Sequence, residues 1–250
     1  LDALALDGGE VSLSEFEDFL VRYFGDDTAG QIRADISRDI AFFRDKDPAS
    51  TNYDEQQVLS VRRGMAAIAA HRVFQAVLNR QPELLYHMEV IAKYVQKDTN
   101  VEIHPGARIA APFAVDHGHG TVIGATSNVG HDVYIYHGVT LGATGRVSRG
   151  GRRHPNVGNN VFFGNGSQVL GPSVLEDDIS IASGAIVQDS YLHSGVHVFL
   201  NVRVATVEVP PNSRVYASSR ENPRRYWAST AGNQQPEWIE FERADVSEYD

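Results

Sequence analysis

Cysteine is absent from the 250-residue chain, which excludes a disulfide framework, a thiolate nucleophile and sulfur-ligated zinc. No run of 18 apolar residues occurs, and Leu1-Asp2-Ala3-Leu4 lacks the basic and long apolar regions of a signal peptide. The expectation is therefore a cytoplasmic protein with no membrane partner. Basic charge is also scarce: 22 Lys and Arg stand against 32 Asp and Glu, a net charge of −10. That balance argues against nucleic acid as a partner, because a binder of that kind relies on a broad basic face. At about 150 residues per domain, the length suits one large domain or two modest ones.

The acidity is uneven. Residues 1–20 hold six acids and no base, and residues 237–250 hold six acids against Arg243 alone. Without these ends the chain has 20 acids and 21 bases, so the body is nearly neutral and open to an anionic ligand. The ends read as solvated tails.

A period of six organises the second half. Ile103, Ile109 and Val115 are followed, after a two-residue slip at Gly118-His119-Gly120, by Ile123, Val129, Ile135 and Leu141. A ten-residue interruption comes next, and then Val157, Phe163, Val169, Leu175, Ile181, Val187, His193 and Phe199. Fourteen of the fifteen positions are apolar in a chain that is 42% apolar, an outcome of order 10⁻⁵ by chance. Four residues after nine of them comes a small or β-branched residue, as at Ala107, Ser127 and Val133. Neither a helix nor a simple strand has this period. A chain that turns a corner every six residues does, and three sides close one coil of a left-handed parallel β-helix. Fifteen hexapeptides give about five coils.

The segment 142–156 (GATGRVSRGGRRHPN), with four Gly and four Arg, must leave the prism as a loop. Tyr191, His193, His197 and Arg203 fall where apolar or small residues belong, which predicts a wider, more polar last coil before Val209-Pro210-Pro211-Asn212 stops the repeat.

The first hundred residues read as helical. Ser12 or Ser14 can cap a helix bearing Phe16, Phe19, Leu20 and Phe24. Ile32, Ile36, Ile40 and Phe43 make a second stripe that ends before Asp47-Pro48. Val58–Leu78 and Pro82–Tyr94 make two more, the former with Ala66, Ala67, Ala69 and Ala70 for close helix packing. Asp98-Thr99-Asn100 hands the chain to the β-helix. The expected class is α+β, with a helical domain over 1–98, a left-handed β-helix over 99–215 and an acidic tail over 216–250.

Six of ten histidines (His104, His117, His119, His131, His137, His154) lie in the first three coils and the loop. Zinc held by three of them, a general base steered by a carboxylate, and plain surface hydrogen bonding are all open on composition. Asp116-His117-Gly118 sits where the repeat slips, which puts His117 at a bulged corner. Glu102 lies fifteen residues before it, close to the eighteen of one coil, so the two can lie on adjacent layers as orienter and base. Arg152-Arg153-His154-Pro155 offers a planar cation suited to clasping a carboxylate.

Several stretches resemble serine O-acetyltransferases in order and spacing: VEIHPG at 101–106, Asp116-His117-Gly118, GVTLGATG at 138–145, Arg153-His154-Pro155 and VPPNS at 209–213. So do Val157–Pro172 and Asp47-Pro48-Ala49 in the helical half. The resemblance covers about residues 30–220. It implies transfer of an acetyl group from acetyl-CoA to the hydroxyl of L-serine, with no metal. His117 would be the base and Glu102 its acidic partner. Asp47 and Asp116 would hold the amino nitrogen, and Arg153 and His154 the carboxylate. Acetyl-CoA would lie between subunits against Gly142, Ala143, Thr144, Gly145, Gly164, Asn165, Gly166, Ser183 and Gly184. The implied assembly is a homotrimer or a dimer of trimers. Another amino-acid-like acceptor such as homoserine, a zinc enzyme of the carbonic anhydrase type and a silent scaffold are the alternatives.

The match departs in four places. Ala143 stands for a second Gly, and Ala182-Ser183 for Gly-Ala. The span from Ile181 to Val209 is about 18 residues longer than the family pattern, one extra coil. The sequence ends in Tyr249-Asp250 rather than the isoleucine with which family members dock into cysteine synthase, so that partnership is not expected.

Overall fold

The structure, a computed structural model, describes residues 13–145, 151–222, 224–230 and 233–244. The far ends of both acidic segments, Ser12, loop residues 146–150 and Tyr249-Asp250 lie outside the described residues. No helix among the described residues is long and apolar enough to cross a membrane.

Helices α1 (Leu13–Phe24) and α2 (Asp26–Lys46) follow the expected stripes, with Leu20, Ile32, Ile36, Ile40 and Phe43 buried. Ser14 lies inside the first turn of α1. The single helix expected over Val58–Leu78 is instead two, α3 (Glu55–Val61) and α4 (Arg63–Arg80). A capping box of Asp54 and Gln57 starts α3, and Arg62 leaves helical geometry at φ −102°, ψ 88°. The Arg62 side chain is committed elsewhere, to Ser50 Oγ (2.8 Å) and Asp47 Oδ2 (3.1 Å). The break also seats Gly64 against the carbonyl of Val115, where a Cβ would overlap it. Pro82–Leu84 form a 3₁₀ turn, and α5 (Leu85–Thr99) runs through Asp98 before Asn100 ends it in the left-handed region (φ 59°).

From Val101 the chain winds as a left-handed parallel β-helix with six strands on each of three faces, one coil more than the five expected. The first face starts at Val101–Ile103, the second at Arg108–Ile109 and the third at Phe113–Val115. Successive coils register eighteen residues apart where the repeat is regular, as Gln168 with Ile186. Val101 pairs with Thr121, twenty residues on, because the slip adds two. Inside run Val115, Ile123, Ile135, Leu141, Phe163 and Val169, all buried.

The polar last coil does not form. The late coils register seventeen residues apart, Leu175 with Leu192 and Ile181 with Val198. That one-residue shift turns Leu192 and Val198 inward and His193 and Phe199 outward. The expected tail is corrected too. Arg225–Thr230 and Asn233–Glu240 form an antiparallel hairpin that continues the third face from Arg214–Ser218. Alternation buries Tyr226 and Ala228 on the end of the core and leaves Trp227 outside, and Phe241 joins them.

A buried ion pair pins the helices to the prism. Arg72 meets both Asp39 oxygens (2.8 and 2.9 Å), Asp39 also accepts from the Phe113 amide (2.8 Å), and Arg72 donates to the carbonyls of Ile109 and Ala110.

Candidate active site

The edge between the third and first faces carries Asp116-His117-Gly118. His117 and Gly118 both adopt positive φ (59° and 77°), and a Cβ on Gly118 would stand 2.6 Å from Val101 Cγ2, so glycine is required there. The turn throws the His117 ring outward; it is 64% exposed and meets the His137 ring of the next coil edge-on at 5.8 Å. His117 Nε2 lies 3.9 Å from Asp116 Oδ1. Asp116 is buried, its amide bonded to the Ile135 carbonyl. Beside it stands the buried Tyr134 hydroxyl, just short of a well-formed hydrogen bond. Burial, and next the charge of Asp116, raise the Tyr134 phenol far above its ordinary value, and Asp47 adds to the effect.

Asp47 arrives from the helical half. It ends α2 and caps the Pro48–Ser50 turn, accepting from the Ala49 amide (3.0 Å) and Ser50 Oγ (2.6 Å). One Tyr134 phenol thus feels two carboxylates that are 69 residues apart in sequence, Asp47 and Asp116. Such a pair suits an ammonium group, and Arg62 is the cation that Asp47 pairs with in this structure. Neither Tyr134 nor Arg62 was legible in advance, since no motif marks them.

Glu102 does not join His117. It points outward from the first face and its Oε2 accepts from Gln96 Nε2 of α5 (2.9 Å); no hydrogen bond or ion pair links it to His117. The cause is the slip. A coil of twenty residues places Glu102 beside Val122 rather than beside the corner. The acid that stands by His117 is its neighbour Asp116.

The edge between the first and second faces carries the other expected residues. The His154 ring lies over Gly124, where a Cβ would overlap it. Its Nδ1 accepts from the Thr126 amide (3.2 Å) and meets Thr126 Oγ1 at 2.8 Å. The amide contact assigns the ring proton to Nε2. Burial, and then the charge of Arg153, lower the His154 pKa, which favours the neutral ring. Arg153 bonds Thr126 Oγ1 through its amide (3.2 Å) and leaves its side chain exposed. Gly142 to Gly145 leave the prism at this same edge.

The remaining cosubstrate candidates return to the His117 edge. Amide bonds stack its corners coil on coil: Gly138 to the His119 carbonyl, Gly166 to that of His137, and Gly184 to that of Asn165. Gly166 (φ 66°) faces open space, and Ser183 Oγ donates to Asn165 Oδ1 (2.6 Å). The expected residues therefore fall on two prism edges, with the whole first face between them. His104 and His131 are taken up by Glu89 (3.0 Å) and Asp132 (2.6 Å). Among the described residues no three His, Asp or Glu side chains gather as a metal ion needs.

No family model matches the chain. A serine acetyltransferase of Helicobacter pylori is 39% identical over 153 residues, which is 61% of this chain and 86% of that protein. One from Mycobacterium tuberculosis is 43% identical over 149 residues, 60% of this chain and 62% of that protein. Among solved structures, soybean serine acetyltransferase complexed with serine superposes with a TM-score of 0.58 at 31% identity, covering 85% of this chain and 74% of that one.

Proposed function

Because the chain belongs to the serine acetyltransferase family of transferases, we propose that it moves an acetyl group from acetyl-CoA to the hydroxyl of L-serine, giving O-acetyl-L-serine and CoA. The observation that carries this reading is the His117 edge itself. One corner presents an outward imidazole beside Asp116, with Asp47 and Tyr134 behind it, and a column of glycine-bearing corners continues along the same edge.

A serine hydroxyl is a poor nucleophile near neutral pH. His117 in its neutral form takes the hydroxyl proton as the oxygen attacks the thioester carbon, which contributes roughly 10²–10⁴ in rate. The carbon–sulfur bond then breaks, and the imidazolium returns the proton to the departing thiolate. The amides of Gly138, Gly166 and Gly184 are spent on coil-to-coil bonds, so the donors for the tetrahedral oxyanion are other N–H groups beside the bound thioester. Asp116 and Asp47 hold the serine ammonium, which displaces Arg62 from Asp47. Arg153, with its exposed guanidinium, and His154, through Nε2–H, hold the carboxylate. Asp116, 3.9 Å from His117 Nε2, is the acid placed to steer the ring, and Glu102 stays with Gln96.

These roles require two chains, since the two edges are apart in one. The acceptor site lies between subunits of a homotrimer, with His117 from one and Arg153 from its neighbour. The test is thiol release from acetyl-CoA across a panel of hydroxy and amino acceptors. Serine is expected to be preferred, and His117→Ala to lose at least about a hundredfold in kcat. Turnover of homoserine but not serine, or an unimpaired His117→Ala enzyme, overturns the reading.

A further inference from the structure

Above Ser183-Gly184 the same edge ends in an exposed aromatic ledge. Asn201 stacks on Ser183 through its amide (3.1 Å), and Phe199 and Leu200 form the corner before it, 39% and 64% exposed. The Tyr216 ring of the final prism strand lies 4.4 Å from the Phe199 ring, at 31°. Large apolar groups left bare in a cluster need an occupant. Just around the corner, on the first face, stands Arg203, whose exposed side chain bonds only the neutral Gln188 Oε1 (2.5 Å) and has no ion-pair partner among the described residues.

Distance selects the occupant. The layers carrying His117, His137, Asn165, Ser183 and Leu200 succeed one another on this edge, so the ledge lies about 19 Å from the base at roughly 4.8 Å per layer. The chain from the sulfur of CoA to its first phosphate is comparable to four or five extended residues, roughly 15 Å. A donor whose sulfur sits at His117 therefore brings its pyrophosphate to the Ser183–Asn201 layers and its adenine one layer further. Stacking on aromatic side chains suits any purine, and a guanidinium without an acid partner suits the phosphates.

We propose that Phe199 and Tyr216 form the platform for the adenine of the acyl-CoA donor, with Arg203 taking a phosphate of the same nucleotide. The extra coil near 187–205 thereby acquires a role in donor selection. This rests on the placement of acetyl-CoA along the His117 edge.

Two measurements test it. The first compares kcat/KM for acetyl-CoA with that for acetyl-pantetheine, which lacks the nucleotide. Wild type is expected to favour acetyl-CoA, and the double variant Phe199→Ala/Tyr216→Ala to lose that preference at least about tenfold, while Phe199→Trp retains it. The second is direct binding of adenosine 3′,5′-bisphosphate by calorimetry, which needs no turnover. It is expected to weaken about tenfold in the double variant and to weaken in Arg203→Gln. An equal fall with both donors, or unchanged nucleotide binding, overturns the platform. A change of oligomeric state in the double variant also overturns it, because the ledge is then a subunit contact. A wild type that binds the nucleotide yet transfers no acetyl group leaves the platform standing and sinks the transferase reading instead.

Discussion

At the scale of single residues, two positions carry sharp consequences. His71 is fully buried, and neither ring nitrogen makes a well-formed hydrogen bond. Burial, followed by the charge of Arg72, pushes its pKa down to about 3. The unfolded chain binds the proton near pH 6.5 while the folded chain refuses it until about 3. The depressed value therefore gives stability that is complete above about 6.5 and is lost as pH falls, at about 1.4 kcal/mol per unit. His71→Leu is expected to remove that slope, read as the difference between the two proteins in urea midpoints between pH 7 and 5. Parallel pH profiles would show that His71 is protonated inside the fold. Gly124 is the second. A methyl there occupies the space of the His154 ring, so Gly124→Ala is expected to raise KM for serine about tenfold, equivalent to ~1.4 kcal/mol. An unchanged KM removes His154 from the carboxylate grip.

At the scale of elements, the contact between α4 and the first coil decides where the His117 corner sits. Gly64 touches the Val115 carbonyl and lies against Gly118, the residues immediately before and after the Asp116-His117 pair. Gly64→Ala must lift α4 off that strand. Overpacking of this kind costs about 1–3 kcal/mol, and kcat is expected to fall with it because the corner moves. Chemical denaturation and kinetics on one preparation check both. A stable variant with reduced kcat isolates the positional effect, whereas full stability and full activity contradict the contact. The helical stripes and hexapeptide phase were legible at this scale because burial imposes a fixed period. The break at Arg62 was not, since it follows from a side chain bonding to Asp47 and Ser50 across a turn. The shift at Leu192 was missed because Leu192 and His193 are adjacent, and only the register tells which one faces in.

At the scale of the whole molecule, the division of the site between two edges has a direct test. His117→Ala and Arg153→Ala chains, each inactive alone, are expected to recover activity when unfolded together and refolded, because the proposed trimer, once mixed, would contain sites with His117 from one chain and Arg153 from its neighbour. No recovery, with mixed trimers confirmed by mass, places both residues in one chain's site or removes one of them. The hairpin after the last coil belongs to this scale too. Its acidic composition reads as a tail, yet Tyr226 and Ala228 close the open end of the core, a role visible only once the prism is there to be capped.

The hexapeptide period alone determined a triangular prism with small and β-branched residues inside, because no other regular backbone repeats every six positions. The motifs alone put His117 at an irregular corner and Arg153-His154 at the end of a loop. Tertiary structure decided what those residues touch. It set Asp116 beside His117, drew Asp47 to the same phenol from the far side of the helices, and left Glu102 bonded to Gln96. Periodicity reports which way a side chain faces, a property of its own turn of chain. Contact between residues distant in sequence depends on accumulated register, where a slip of two residues redirects a carboxylate.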